Sequence, residues 1–219
     1  LMSSVSGEDA KDRVDRELVT PWLKFLWETY KTVLDILRSN QKLESLYHYA
    51  ARHAFHFCVK YERKTEFRRL SEILRVHMSN ITKYPAQLEL LVQSEESLPL
   101  RLQTSFAQLN TAAQLELWQE AFRVIEGIRT ILVLSRRPPK PQMMAAYYEK
   151  LTQVFWVANN HLYHGFCAYK HFLISLTHNK GMSAEERSAQ ANKVALAVLS
   201  IPMKKEQTRH VEQELDLDV

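Results

Sequence analysis

The chain has 219 residues, of which 46% are hydrophobic and 25% are charged. This balance suits a folded protein with a substantial core and argues against an intrinsically disordered chain. The 4 glycines and 7 prolines are too few for a turn-rich β architecture, so we expect an all-α protein. A net charge of +4 and a pI near 9.0 permit an acidic or nucleic-acid partner without requiring one.

The N-terminal part predicts a short helical lead-in before a long helical region. Residues 1–19 are polar and acidic, and Thr20 precedes Pro21, a residue favoured in the first turn of a helix. Thr20 is therefore the expected N-cap of a long helix. We predict one helical-repeat domain over residues 20–202, and a charged tail or the start of a following segment over residues 203–219.

The segment 43–81 predicts two antiparallel helices. Apolar residues recur at helical spacing in both halves, and residues 62–65 interrupt this pattern. Thr65 is the expected N-cap of the second helix. Because one partner cannot cover both apolar faces of such a pair, the pattern favours a TPR-like α-solenoid of stacked antiparallel helix pairs with no sheet. No repeat of fixed period is visible in the sequence.

Further along, the sequence indicates several helix boundaries. Residues 84–99 lose helical periodicity and predict a long exposed loop. Asn159 with Asn160 marks a break between two helices. Gly181 is expected to end a helix in the left-handed conformation, and Ser183 begins a capping-box pattern that opens the last helix.

Histidines suggest one alternative function, a metal-dependent hydrolase. His161, His164 and Cys167 are spaced three apart, but each such step turns about 60° backward around a helix, so their side chains spread over a wide arc. They also lack a nearby acidic ligand. The histidines within residues 48–56 converge no better, and the HExxH, Walker A, GxSxG and GxGxxG motifs are absent. We therefore expect no catalytic, cofactor-binding or metal-binding residues.

Two features favour a cytoplasmic location. Cys58 and Cys167 each lie in an apolar helical pattern without a second cysteine at metal-ligand spacing, which favours a reducing compartment. The longest uncharged stretch, residues 151–169, is about as long as a membrane span. It carries asparagine, glutamine and histidine, so we expect no membrane segment.

A basic stripe is the strongest candidate for an RNA-binding or partner-binding surface. On a helix, Lys64, Arg68 and Arg75 fall close together, and we expect them opposite an apolar face that includes Leu74 and Met78. The stripe is either an ordinary solvated helix face or a surface for phosphate or acidic groups. A second candidate patch, in a proline-rich connector, consists of Arg136, Arg137 and Lys140.

Several segments together resemble the large a subunit of eukaryotic translation initiation factor 3. They are TPWLKFLWETYKTVLDILRSN (20–40), FCVKYERKTEFRRLSEILRVH (57–77), LELWQEAFRVIEGI (115–128), RRPPKPQMMAAYYEKLTQVFW (136–156) and LSIP (199–202). The resemblance covers about residues 3–203. It implies a non-enzymatic scaffold, the helical-repeat arm of a PCI-type subunit, in a complex that helps to recruit mRNA and binds the small ribosomal subunit.

The same resemblance implies the partners. These are other subunits of the initiation factor, notably b and c, together with mRNA or rRNA and the small ribosomal subunit. The alternative is a helical scaffold subunit of another PCI complex, of proteasome-lid or signalosome type, because those architectures are physically alike.

Overall fold

The computed structural model describes residues 15–38, 40–84, 89, 94, 96–135, 139–179 and 181–202. Within these residues the regular elements are helical, and the all-α fold predicted from the sequence is confirmed. The chain divides into two compact units, Leu1–Pro138 and Pro139–Val219. The α-helices are α1 (Thr20–Leu37), α2 (Glu44–Lys60), α3 (Lys64–Lys83), α4 (Ser97–Gln114), α5 (Trp118–Leu134), α6 (Pro141–Val157), α7 (His161–His178) and α8 (Ala184–Leu199).

The first unit contains α1 and two helical hairpins, α2 with α3 and α4 with α5. The rings of Phe55 in α2 and Phe67 in α3 pack with centroids 5.9 Å apart, and both side chains are fully buried. Tyr47, near the start of α2, contacts His77, near the end of α3, so these two helices are antiparallel as predicted. Helix α2 also packs against α1 and α4.

Three hairpins are closed by the same type of three-residue turn. They are the two hairpins of the first unit and the hairpin of α6 with α7 in the second. The central residue of this turn has a left-handed backbone in each case: Glu62 (φ 51°), Glu116 (φ 58°) and Asn159 (φ 55°). The following residue then donates its amide to a carbonyl five residues back, as in a Schellman motif. These bonds are Arg63 to Cys58 (2.8 Å), Leu117 to Ala112 (2.8 Å) and Asn160 to Phe155 (3.0 Å).

Two predicted N-caps, Thr65 and Thr20, were wrong. Helix α3 begins at Lys64 with Arg63 as its N-cap, because the amide of Arg63 is already tied back to α2, and Thr65 therefore lies inside the helix. Thr20 is likewise the first residue of α1 instead of its N-cap, because a π-helical turn, Asp15–Val19, leads directly into the helix.

The predicted loop 84–99 is too long at its C-terminal end. Helix α4 begins at Ser97, and Ser97 and Leu98 are both buried. Pro99 fits because it lies in the first turn of the helix, where a missing backbone N–H leaves no hydrogen bond unmade. Most of residues 85–95 lies outside the described part of the chain.

The second unit contains the hairpin α6–α7 and helix α8, which packs on α7. Asn160 caps α7 by accepting a hydrogen bond from the amide of Tyr163 (3.2 Å). Ser183 and Glu186 form the capping box predicted for α8. Gly181 lies in a turn but is not left-handed, so that prediction was wrong. The predicted lead-in and tail fall largely on residues 1–14 and 203–219, outside the described residues, and stay predictions.

Candidate partner-binding surfaces

The predicted basic stripe lies on α3, with each of its three cations exposed. Lys64 is the first residue of the helix, and Arg68 lies one turn further on. Arg75 forms an ion pair with Glu72 on the same helix. Pairs this exposed contribute little to stability, so Arg75 can exchange its partner at low cost.

The stripe does not face away from the apolar residues as expected. Leu74 and Met78 lie beside Arg75 and line the same groove. The reason is helical geometry, since residues one and three positions apart are separated by only about 60–100° around the helix axis. The face of α3 that is fully buried is formed by Phe67 and Leu70 instead.

This groove lies within the first unit, has a volume of about 340 Å³, and is bounded by α2, α3, α4 and α5. The sequence analysis had identified only the residues on the α3 side of this groove. Its apolar lining comes from Leu74, Met78, Val124 and Ile131. Its polar and charged lining includes Ser71, Arg75, Arg101, Thr104, Glu120, Arg123 and Glu126.

A buried ion pair fixes α4 against α2 beside the groove. The carboxylate of Glu44 lies 2.7 Å from Nη2 of Arg101, and both side chains are mostly buried. Glu44 also accepts a hydrogen bond from the hydroxyl of Ser97. Burial alone raises the pKa of Glu44, but His48, Ser97 and Arg101 together outweigh it and lower the pKa to about 2. The carboxylate is therefore ionised throughout the physiological range.

Two histidines of the first unit, His48 on α2 and His77 on α3, are buried. His48 is 3% exposed and His77 is 7% exposed. Burial lowers the pKa of both imidazoles, with nearby arginines adding to the effect. Both rings are therefore mainly neutral at pH 7 and pack as polar aromatic side chains.

The second predicted patch is only partly described. Lys140 is exposed at the N-cap of α6, in the second unit. Arg136 and Arg137 lie outside the described residues. Their role in binding stays a prediction.

Two of the candidate metal ligands on α7, His164 and Cys167, are accounted for by packing and hydrogen bonding within the protein. His164 Nδ1 lies 2.9 Å from the carbonyl oxygen of Thr152, and its ring packs against Trp156. Burial raises the pKa of the Cys167 thiol to about 12. Across the described residues, no three histidine, cysteine, aspartate or glutamate side chains are placed to hold a metal ion.

Sequence reasoning also missed an exposed apolar face on the first helix. Trp22 and Phe25 have the spacing of core residues, yet they are 65% and 61% exposed, and their rings contact each other edge to face. Leu18 in the preceding turn is 59% exposed.

None of the described helices has the length and apolar character needed to cross a membrane.

Comparison with known proteins identifies the family. A family model described as "eIF3a, PCI domain, TPR-like region" matches residues 1–218. The chain belongs to this eIF3a family. It is similar to the a subunit of eukaryotic translation initiation factor 3 from Nicotiana tabacum, with 51% identity over 92% of this chain and 21% of that protein. It is also similar to the proteins of the same name from Arabidopsis thaliana (50%, 92% and 20%) and Xenopus tropicalis (45%, 100% and 16%).

The eIF3a match confirms the resemblance seen in the sequence. The chain spans only about a fifth of the length of these relatives. The match identifies the family as that of eIF3a, and not as that of a proteasome-lid or signalosome subunit.

Proposed function

We propose that this chain is a non-enzymatic scaffold segment of the cytoplasmic translation initiation factor 3 complex. Its role is to support assembly with other subunits, notably b and c, and to help recruit mRNA and the small ribosomal subunit. Membership of the eIF3a family supports the proposal, because all three relatives described above carry the name of that factor. The stacked hairpins of the first unit suit a scaffold, since their apolar faces are buried and their outer faces are available for contacts.

The exposed cations of α3 are the observation that favours a ribosomal or RNA contact. Lys64 and Arg68 stand one turn apart on the exposed surface of α3, a helix that is anchored by the fully buried Phe67 and Leu70. The helical backbone fixes the spacing of the two residues, so only their side chains need to be ordered on binding. Contacts to phosphate release counterions, which makes binding sensitive to salt.

A charge-reversal experiment tests this role. The double variant Lys64→Glu/Arg68→Glu is compared with the unchanged chain for binding to purified small ribosomal subunits across a salt series. We expect weaker binding and a salt dependence reduced by about one to two units of log–log slope. The fold should survive, because an acidic residue at the start of a helix interacts favourably with its dipole.

The matched control is Lys24→Glu, which reverses an exposed charge on α1 of the same unit. This variant should bind as the unchanged chain does. If both variants bind equally well at every salt concentration, the stripe is an ordinary solvated face and the ribosomal contact lies elsewhere. Arg75, Lys140, Arg136 and Arg137 are tested in the same way, each separately.

A further inference from the structure

Helix α1 and the turn before it carry a second apolar face, which is open to solvent. Its members follow one another at alternating spacings of four and three residues, and all are exposed: Leu18, Trp22, Phe25, Thr29, Thr32 and Ile36. We call this row the α1 seam. Its four large apolar side chains are between 59% and 65% exposed. Single exposed apolar residues are common, but a continuous row of them marks a contact surface.

The two threonines allow the α1 seam to act as an apolar surface along its whole length. The hydroxyl of Thr29 donates to the carbonyl oxygen of Phe25 (2.9 Å), and that of Thr32 donates to the carbonyl oxygen of Glu28 (2.9 Å). The donor of each hydroxyl is thus used within the helix, and its methyl group can pack against a neighbour. A row spaced alternately by three and four residues is the pattern through which one α-helix packs along another.

The opposite side of α1 is already buried in the first unit. Leu34 is fully buried, and it lies opposite Phe25 because the nine positions between them, at about 100° each, amount to half a turn beyond two full turns. Trp27 is 4% exposed and lies on the same side as Leu34. A helix that is apolar on both sides is normally enclosed between neighbours. The α1 seam is therefore the side on which a further helix fits.

The charges beside the α1 seam are paired with one another. Nζ of Lys31 lies 2.8 Å from the carboxylate of Glu28, and Nε of Arg38 lies 3.0 Å from that of Asp35. Separate proteins that meet by diffusion are steered and selected by complementary charges. These two pairs neutralise themselves, so this edge does not select a separate charged partner. A segment of the same polypeptide needs no such steering, because the covalent link keeps it at a high effective concentration.

Most of a protein of this family lies outside the part that this chain matches. About four-fifths of the length of the Nicotiana tabacum and Arabidopsis thaliana relatives is not covered by it. The first unit already buries apolar faces by packing helix on helix, with α1 on α2 and α2 on α4. One more helix on the α1 seam would continue this stacking in the same manner.

We propose that the α1 seam binds an amphipathic helix of the same polypeptide, which lies outside residues 1–219. The apolar side chains of that helix, also spaced by three and four residues, pack along Trp22 and Phe25 and remove them from water. The contact joins the first unit to another part of the full-length subunit. It goes beyond the scaffold role and does not depend on the ribosomal contact, because Lys64 and Arg68 lie on α3.

Photo-crosslinking in the full-length subunit tests the proposal. Phe25→p-benzoylphenylalanine is irradiated in the subunit alone and in the assembled initiation factor. We expect crosslinks in both samples to one segment of the same polypeptide, outside residues 1–219. Lys24→p-benzoylphenylalanine, at an exposed position beside the α1 seam, is the matched control and should lose this crosslink. A mixture of ¹⁵N-labelled and unlabelled subunits separates crosslinks within one chain from crosslinks between two copies.

Hydrogen exchange measured by mass spectrometry gives a second measurement in the full-length subunit. In Trp22→Gln/Phe25→Gln both rings are lost from the contact, while glutamine keeps a good helix propensity. Exchange should become at least about tenfold faster across α1 and across the segment that crosslinks to it, because less apolar surface is buried between them. Lys24→Gln should leave the exchange of both segments unchanged.

Three outcomes would overturn the proposal. One is a crosslink from residue 25 to another subunit, which would make the α1 seam an interface between subunits. Another is a crosslink between labelled and unlabelled copies, which would assign the α1 seam to self-association. The third is the absence of any crosslink to protein, or exchange across α1 that the two glutamines leave unchanged. Either of these last results would show that the α1 seam stays open to solvent.

Discussion

The hydroxyl of Tyr47 lies 2.9 Å from Nδ1 of His77, and this buried hydrogen bond joins the start of α2 to the end of α3. The other ring nitrogen of His77, Nε2, lies 3.5 Å from the carboxylate of Asp35 near the end of α1. The three helices thus meet at one imidazole. Tyr47 donates to Nδ1 when the ring is neutral, the form that burial favours by lowering the pKa of His77.

Removing the Tyr47 hydroxyl should destabilise the first unit. Tyr47→Phe keeps the ring in place but leaves Nδ1 of His77 buried without a donor. We expect the free energy of unfolding to fall by about 1–2 kcal/mol, measured by urea denaturation at pH 7.5. Tyr49→Phe is the control, because Tyr49 is 54% exposed and its hydroxyl is accessible to water. Equal stability of the two variants would show that the Tyr47 hydrogen bond contributes nothing net.

The buried histidines should make stability depend on pH below about 6.5. The pKa values of His48 and His77 are lowered in the folded state, so the unfolded chain binds more protons once the pH falls below the ordinary value of 6.5. The stability they contribute is present above pH 6.5 and is lost as the pH falls through their folded pKa values. Glu44 adds a second loss at lower pH, between about 4.5 and 2.

Urea denaturation between pH 8 and pH 5 measures this dependence. The free energy of unfolding should be nearly constant above pH 7 and should fall on acidification below pH 6.5. His77→Gln keeps an acceptor for Tyr47 but does not titrate, so its curve should be flatter over the same range. A variant with an unchanged slope would contradict the role assigned to His77.

Glycine should stabilise the turns in which glutamate has a left-handed backbone. Glu62 and Glu116 bear the steric cost of positive φ, which glycine avoids. We expect Glu62→Gly and Glu116→Gly each to raise the free energy of unfolding by about 0.5–1 kcal/mol. Asn159→Gly should raise the free energy of unfolding by less, because asparagine tolerates this conformation.

Glu72→Gly is the control for the turn variants, because here glycine should lower the stability of the chain. Glu72 lies in the exposed middle of α3, where glycine should cost about 1 kcal/mol. Thermal or urea unfolding of the four variants gives the comparison. Destabilisation by glycine at residue 62 or 116 would show that the glutamate side chain supports the turn in a way that outweighs its strain.

The two helical glycines on α5 and α7 should respond differently to alanine. Gly127 has open space around it, so Gly127→Ala should stabilise the chain by about 0.5–1 kcal/mol. At Gly165 an added Cβ would lie 3.2 Å from Cδ1 of Ile201, so Gly165→Ala should raise the free energy of unfolding by less. The larger side chain of Gly165→Leu should displace α8. Hydrogen exchange measured by mass spectrometry should then be faster across 184–199. Unchanged exchange would show that α8 does not depend on this contact.

Local sequence signals predicted the helices well because periodicity and capping are local. The apolar spacing indicated α2 and α3, and the pattern Ser183 to Glu186 marked the start of α8. The left-handed conformation of Glu62 and Glu116 was not predicted, because glutamate does not favour positive φ. The closing hydrogen bonds impose this conformation.

The groove could not be predicted because it depends on contacts between distant parts of the chain. Glu44 meets Ser97 and Arg101, and Arg52 lies 3.2 Å from Gln103, so α2 and α4 lie side by side in the same direction. Periodicity shows which residues of a helix are apolar, but it does not show which helix will cover them. For the same reason, Trp22 and Phe25 looked like core residues although they are exposed.

The shared turn has a consequence for how proteins of this kind can diverge. Each hairpin is closed within three residues by its own backbone, so its register does not depend on the chain that joins it to the next hairpin. Insertions and deletions should therefore accumulate in connectors such as residues 84–96, whereas a single residue added at 61–63 would rotate a whole helix relative to its partner.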